Sequence, residues 1–244
     1  MGGHPAFAAC AGLAPGQRRA ARGLLPPPAA GCDPLPGRGR NLLAGDARGL
    51  PRLGDDITWR EAPATERTRL LVRGEVDFIV ASYQITDERE ADVDFTGPYL
   101  SARQDLLVCA DDRAPDMTDL NDMTLCSVTG STSAQVVQED LAPGVELTEC
   151  ASYSECLTAM DRGQVDALTT DDSLLAGYAS QGGNPGDYRL AGLELSTENL
   201  YGVGVPQGET ELRDDIDAAI DQMIADGSWA KAAAANRTRS AAAR

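Results

Sequence analysis

An α/β fold built from two similar lobes is what this sequence predicts, and three observations predict it. Helical and strand patterns alternate from Asp55 onward. One short unit occurs twice, Arg73-Gly74-Glu75-Val76-Asp77 and Arg162-Gly163-Gln164-Val165-Asp166. The chain has 244 residues, 42% hydrophobic and 24% charged, enough to bury a core as one large domain or two small lobes.

The elements follow in order. Spacing over 62–72 suits a helix, with Gly74 placed as its left-handed stop and a buried strand over 76–81. A strand at 124–128 leads through a glycine- and hydroxyl-rich turn to an apolar helix from about Ala134. Ser152-x-x-Glu155 is a capping box that opens a helix carrying Cys156, Leu157 and Met160. Gly163 ends that helix, a strand covers 165–169, and a helix covers 173–178. Leu212, Ile216, Ile220, Met223 and Ile224 keep helical spacing up to Gly227, and simple core packing accounts for them. Both copies of the repeat put a glycine stop directly before a strand, so a duplicated unit with two facing lobes is expected. Ligands of open α/β sheets bind beyond the carboxyl ends of the strands. Eight residues on from each glycine stand Ser82 and Asp171, expected on opposite walls of one cleft.

Charge and composition narrow the function. A net charge of −17 argues against nucleic acid and anionic membrane surfaces as partners. No run of about 18 apolar residues exists to span a membrane, and no basic start followed by an apolar stretch marks a secretory signal. The six cysteines form no C-x-x-C pair and the single histidine is His4, so no metal site and no cofactor are expected.

A seam lies near Gly54. Residues 1–54 hold seven arginines against two aspartates, a local charge of +5, so the remainder carries −22. They also hold 8 of the 14 prolines and 11 of the 25 glycines, without helical or strand periodicity. The segment reads as irregular. A basic binding arm is one alternative, and a reading-frame error in GC-rich DNA, which yields arginine, alanine, glycine and proline, is another. Ala8-Ala9-Cys10 faintly matches the end of a lipoprotein cleavage box but lacks the apolar region before it.

Three clusters offer chemistry. The run 81–89 follows a strand; Thr86 can cap a short helix in which Arg89 lies one turn in, placed either to clamp a carboxylate or to pair with a nearby acid. Val128-Thr129-Gly130-Ser131-Thr132 sits at a helix N-terminus and suits an anion, or is an ordinary cap; it lacks the lysine of a P-loop. Thr169-Thr170-Asp171-Asp172 places acids at a strand end, where one is set to accept from an ammonium or either Asp171 or Asp172 simply caps the helix over 173–178. Gly202-x-Gly204 has no third glycine in register. Together these complement a zwitterionic amino acid. No Ser/His/Asp set is available without a placed histidine.

These residues resemble the family 3 bacterial solute-binding proteins, the polar amino acid receptors of ABC importers. The resemblance runs from about Asp56 to Trp229 and is most specific from Gly74-Glu75-Val76-Asp77 through Ile85-Thr86-Asp87-Glu88-Arg89 to Val93-Asp94-Phe95-Thr96-Gly97-Pro98-Tyr99. Cys126-Ser127-Val128-Thr129-Gly130-Ser131-Thr132 with Tyr153-Ser154-Glu155-Cys156 is most similar to glutamate receptors of actinobacteria. The resemblance implies a periplasmic-binding-protein-like (type II) α/β clamp. Lobe 1 would comprise 55–108 plus 193–244, lobe 2 would comprise 109–192, and the hinge would lie near Val108 and Ala191. It implies that Arg89 binds the α-carboxylate with help from Thr132 beside Gly130. It also implies that Asp171 accepts the α-ammonium with help from the Ser82 backbone and Gln84. An extracytoplasmic monomer partnered by importer transmembrane subunits is implied, with no enzymatic activity and glutamate favoured over glutamine. Gln84 departs from the small hydroxyl residue usual there, and residues 1–54 do not match the unit that opens the family, which would leave lobe 1 incomplete. Two competing readings are an enzyme on the same clamp, such as a cyclic-acid dehydratase, and a remnant with a damaged lobe 1. Cys126, on a strand, and Cys156, on the helix expected beside it, are the expected disulfide, with Cys150 as the alternative partner.

Overall fold

The computed structural model of the chain describes residues 9–11, 22–25, 58–113, 115–141, 144–179 and 187–241. His4, Cys32 and most of the segment 1–54 lie outside them, as does the cleavage-box reading at Ala8. The chain divides into two compact units, one formed by Ser101–Asn199 and one by Phe7–Leu100 with Leu200–Ala234.

In the Ser101–Asn199 unit, five strands are ordered Tyr188–Leu190, Gln104–Cys109, Ala167–Asp171, Thr124–Val128 and Glu146–Cys150. The last three run parallel to one another, and Gln104–Cys109 is antiparallel to both of its neighbours. Successive strand residues point to opposite faces, and the core shows it. Leu107, Cys126 and Leu168 pack with Cys156, Met160 and Leu175 on one face. Their chain neighbours Leu106, Leu125 and Ala167 pack with Leu120 and Val137 on the other. Both faces are covered, which explains why Ala167–Asp171 is buried along its whole length.

Cys126 and Cys156 are joined by a disulfide, Cα–Cα 5.6 Å, closing a separation of 30 residues. Cys109 and Cys150 are free thiols.

The second unit holds six strands, ordered Arg22–Leu25, Thr58–Glu61, Ala9–Ala11, Phe78–Val80, Gly204–Pro206 and Val93–Phe95. Ile79 packs with Leu70, Leu71, Val76 and Val93 on one face, and Phe78 with Val203, Val205, Ile216 and Ile220 on the other. The segment 1–54 contributes two short strands here, Ala9–Ala11 and Arg22–Leu25. Ala9–Ala11 pairs antiparallel with both Thr58–Glu61 and Phe78–Val80, and Arg22–Leu25 lies parallel to Thr58–Glu61. Pairing of three or four residues needs only backbone donors and acceptors, so it leaves no periodicity in composition.

The duplicated unit behaves alike in both places. Gly74 and Gly163 sit at φ +62° and +63°, each just after a helix, Arg67–Val72 and Tyr153–Asp161. A side chain at such a φ would be strained, which is why glycine stands in both copies. The first helix is shorter than the spacing suggested: Ala64–Glu66 forms a 3-10 turn before Arg67–Val72.

Gly204 is fixed by packing. A Cβ there would lie 2.7 Å from Cε1 of Tyr83 and 3.1 Å from Cδ1 of Leu71, and Tyr83 is only 1% exposed. Gly204→Ala is therefore expected to destabilise this unit by about 1–3 kcal/mol, read as a fall in melting temperature with the far-ultraviolet spectrum unchanged.

Candidate ligand-binding site

In one unit the segment Ser82 to Arg89 is held by side chains from several elements. Thr86 caps the short helix Asp87–Glu90, accepting the Arg89 N–H at 3.3 Å, as the sequence suggested. The Arg89 guanidinium donates from Nη1 to the Gln84 carbonyl at 2.8 Å, and its Cζ lies 5.0 Å from the centre of the Tyr83 ring. Gln84 forms a bridge with Tyr201, and the Ile85 N–H donates to the Leu200 carbonyl at 2.8 Å. Ser82, Gln84 and Arg89 are thus gathered on one scaffold.

Arg67 is a residue that sequence reasoning missed. It donates from Nη1 to the Ser82 carbonyl at 2.8 Å and from Nε to the Ala62 carbonyl at 3.3 Å, with Cζ 5.9 Å from the Tyr83 ring. Two guanidinium groups therefore stand by one buried phenol ring, whose hydroxyl shares a 2.7 Å hydrogen bond with Thr68 Oγ1. Burial pushes the Tyr83 hydroxyl above its usual range, while the Thr68 hydrogen bond and the charges of Arg89 and Arg67 pull it back. No motif marked Arg67, since a lone arginine opening a helix reads as solvated.

In the other unit, Ser131 caps the helix Thr132–Glu139 by accepting the Ala134 N–H at 3.1 Å. Gly130 turns at φ +74° just before it, the Ser131 N–H donates to the Val128 carbonyl at 3.0 Å, and Thr132 opens the helix. This turn is tied to the strand that ends in Asp171. Ser127 Oγ donates to the Thr169 carbonyl at 2.9 Å and lies 3.2 Å from Ser131 Oγ. The buried amide of Gln104 donates both to the Ser133 carbonyl at 3.1 Å and to Thr169 Oγ1 at 2.9 Å. Gly130, Thr132 and Asp171 therefore belong to one hydrogen-bonded framework, with Ser127 and Gln104 as its unforeseen ties.

The two neighbouring acids separate by role. Asp172 Oδ1 accepts the N–H groups of Ser173 at 2.7 Å and Arg103 at 3.3 Å, so it serves the backbone at the start of the helix Asp172–Ala179. Asp171 is 4% exposed, and its Oδ1 accepts from the side-chain amide of Asn199 at 2.7 Å. Next to it, Thr170 Oγ1 donates to the Tyr153 hydroxyl at 2.7 Å.

A metal has little to bind among the described residues. The sulfurs of Cys126, Cys150 and Cys156 lie within 4.8 Å of one another, but two of them are bonded together.

The framework can be compared with known proteins. The family model of bacterial extracellular solute-binding proteins, family 3, matches residues 50–235. The chain belongs to that family. As a family 3 solute-binding protein, it is similar to the glutamate-binding protein GluB of Corynebacterium efficiens, 46% identical over 179 residues that make up 71% of this chain and 60% of the relative. It is 37% identical to the ABC transporter glutamine-binding protein GlnH of Bacillus subtilis, over 72% of this chain and 64% of that one. The chain thus spans about 60% of the length of these curated relatives. Among solved structures, an ancestral arginine-binding protein bound to glutamine matches with a TM-score of 0.65 and 30% identity, covering 72% of this chain and 78% of the other. The fold class is accordingly that of the type II periplasmic amino acid-binding proteins. Among the described residues, no helix is long and apolar enough to cross a membrane.

Proposed function

We propose that this chain is the extracytoplasmic substrate-binding component of an ABC importer for a polar amino acid, glutamate or glutamine, with glutamate favoured. The observation that carries the reading is the fixed guanidinium of Arg89, held by the Gln84 carbonyl and set near the Tyr83 ring. A guanidinium already locked by hydrogen bonds loses little freedom when it takes a carboxylate in a forked pair. Arg89 takes the α-carboxylate, with the hydroxyl and N–H of Thr132, beside Gly130, as further donors. Asp171, with the Ser82 carbonyl and Gln84, takes the α-ammonium. Relatives named glutamate-binding and glutamine-binding proteins support the choice of ligand.

This role needs no chemical step. We propose that the chain is not an enzyme, uses no cofactor, acts as a monomer outside the cytoplasm, and hands its ligand to the importer's transmembrane subunits. Its two lobes are taken as the Ser101–Asn199 unit and the unit of Phe7–Leu100 with Leu200–Ala234. Titration calorimetry of the full chain with L-glutamate, L-glutamine and L-aspartate tests the reading. Saturable binding of glutamate or glutamine at one site per chain is expected. Absence of heat with all three, together with no rise in melting temperature at millimolar ligand, would overturn it.

A further inference from the structure

We propose that Asn199 is a positioning residue for Asp171, and that through it the ammonium-binding carboxylate is tied to the strand where the chain passes from one unit to the other. The inference rests on the amino-acid reading above.

Asp171 ends a strand and is 4% exposed; Asn199 is 6% exposed, and its Nδ2 donates to Asp171 Oδ1 at 2.7 Å. A carboxylate at the end of a strand has two side-chain torsions to settle. A buried amide donor on one oxygen restricts both and favours one orientation of the carboxylate. An amide suits the task because it carries no charge and so does not compete with an incoming ammonium. A lysine or arginine in its place would neutralise the carboxylate.

The position of Asn199 in the chain gives the contact a second meaning. Asn199 ends the Ser101–Asn199 segment of its unit, and Leu200 begins a segment of the other. Both belong to the strand Asn199–Tyr201. Within the second unit the Leu200 carbonyl accepts the Ile85 N–H at 2.8 Å, and Tyr201 bridges to Gln84, whose own carbonyl accepts from Arg89. Asn199 thus contacts the carboxylate within its own unit, and Leu200 and Tyr201 contact the backbone at Gln84 and Ile85 within theirs. The backbone of Asp171 is fixed near the other crossing too: Asp171 pairs with Gln104, and the Asp172 N–H donates to the Arg103 carbonyl at 2.8 Å.

The test compares Asn199→Leu, which keeps the side-chain shape without a donor, with Asn199→Gln, which keeps the amide. Titration with L-glutamate should show Asn199→Leu weaker than wild type by about 10- to 100-fold, the span of a hydrogen bond to a charged group. Asn199→Gln should recover at least tenfold of that loss. The ligand-free melting temperatures of both variants, read alongside, expose a general loss of fold. Binding by Asn199→Leu within twofold of wild type would overturn the proposal. So would equal weakness of the two variants when both melt like wild type, since a packing role does not depend on the donor. If the wild-type chain itself binds no amino acid, the functional reading fails first and takes this inference with it; if wild type binds and Asn199→Leu is unaffected, only the Asn199 assignment falls.

Discussion

Replacing Arg89 by alanine should weaken amino-acid binding by a factor of roughly 30 to several thousand. Removing one partner of a buried, hydrogen-bonded charge pair costs about 2–5 kcal/mol, because the other charge is left desolvated without its counter-charge. The magnitude should fall in the upper part of that range. The guanidinium is already oriented by the Gln84 carbonyl and the Tyr83 ring, so wild type recovers most of the pair's energy. Arg213→Ala is the matched control. Arg213 pairs with its neighbour Asp214 on the surface at 2.7 Å, and its loss should leave affinity unchanged. Calorimetry of both variants with the preferred ligand decides the matter. Equal affinity in wild type and Arg89→Ala would remove Arg89 as the anchor while leaving a receptor role intact. The variant also loses a donor to the Gln84 carbonyl, so ligand-free melting curves are needed to separate binding from local folding.

Local signals carried much of the fold and part of the site. The Thr86 cap before Arg89, the Ser152 cap, and the paired glycine stops at Gly74 and Gly163 all rest on interactions within a few residues, and they stand where the spacing put them. The choice between Asp171 and Asp172 could not be made locally. Either acid could cap the helix, and only the long-range contacts to Arg103 and Asn199 divide their roles. Arg67, Gln104 and Asn199 were invisible for the same reason: their partners Ser82, Ser133 with Thr169, and Asp171 lie 15 to 65 residues away. Gly204 was noticed only as part of a weak glycine pair, whereas its reason is the Tyr83 ring packed against it. The short strands at 9–11 and 22–25 are held by pairing with distant partners, which composition does not record.

Loss of the disulfide should be the largest single effect on stability, and it should depend on which sulfur is removed. Closing 30 residues restricts the unfolded chain enough to favour the fold by about 3–4 kcal/mol on the chain-entropy model. For a unit of this size, that corresponds to a fall in melting temperature of about 15 °C or more. Cys126→Ala should lose most: the sulfurs left, those of Cys150 and Cys156, lie within 4.8 Å of each other but can close only a 6-residue separation. Cys156→Ala leaves Cys126 with another partner, because the free thiol of Cys150 already lies 3.5 Å from the Cys126 sulfur on the adjacent strand. Under oxidising conditions a Cys126–Cys150 bridge can then close a 24-residue separation, and the chain-entropy model gives that loop nearly the same stabilisation. Burial and the nearby charge of Glu155 hold the Cys150 thiol above its ordinary range, so the new bridge should form slowly at neutral pH and faster as pH rises. The expected order of melting temperatures after oxidative refolding is wild type, then Cys156→Ala, then Cys126→Ala. Adding Cys150→Ala to Cys156→Ala removes every pair in this cluster and should bring it to or below the level of Cys126→Ala. Peptide mapping of Cys156→Ala should recover the Cys126–Cys150 link. If Cys156→Ala and Cys126→Ala melt together and no such link is found, the third sulfur plays no part, and the covalent stabilisation belongs to the Cys126–Cys156 bridge alone.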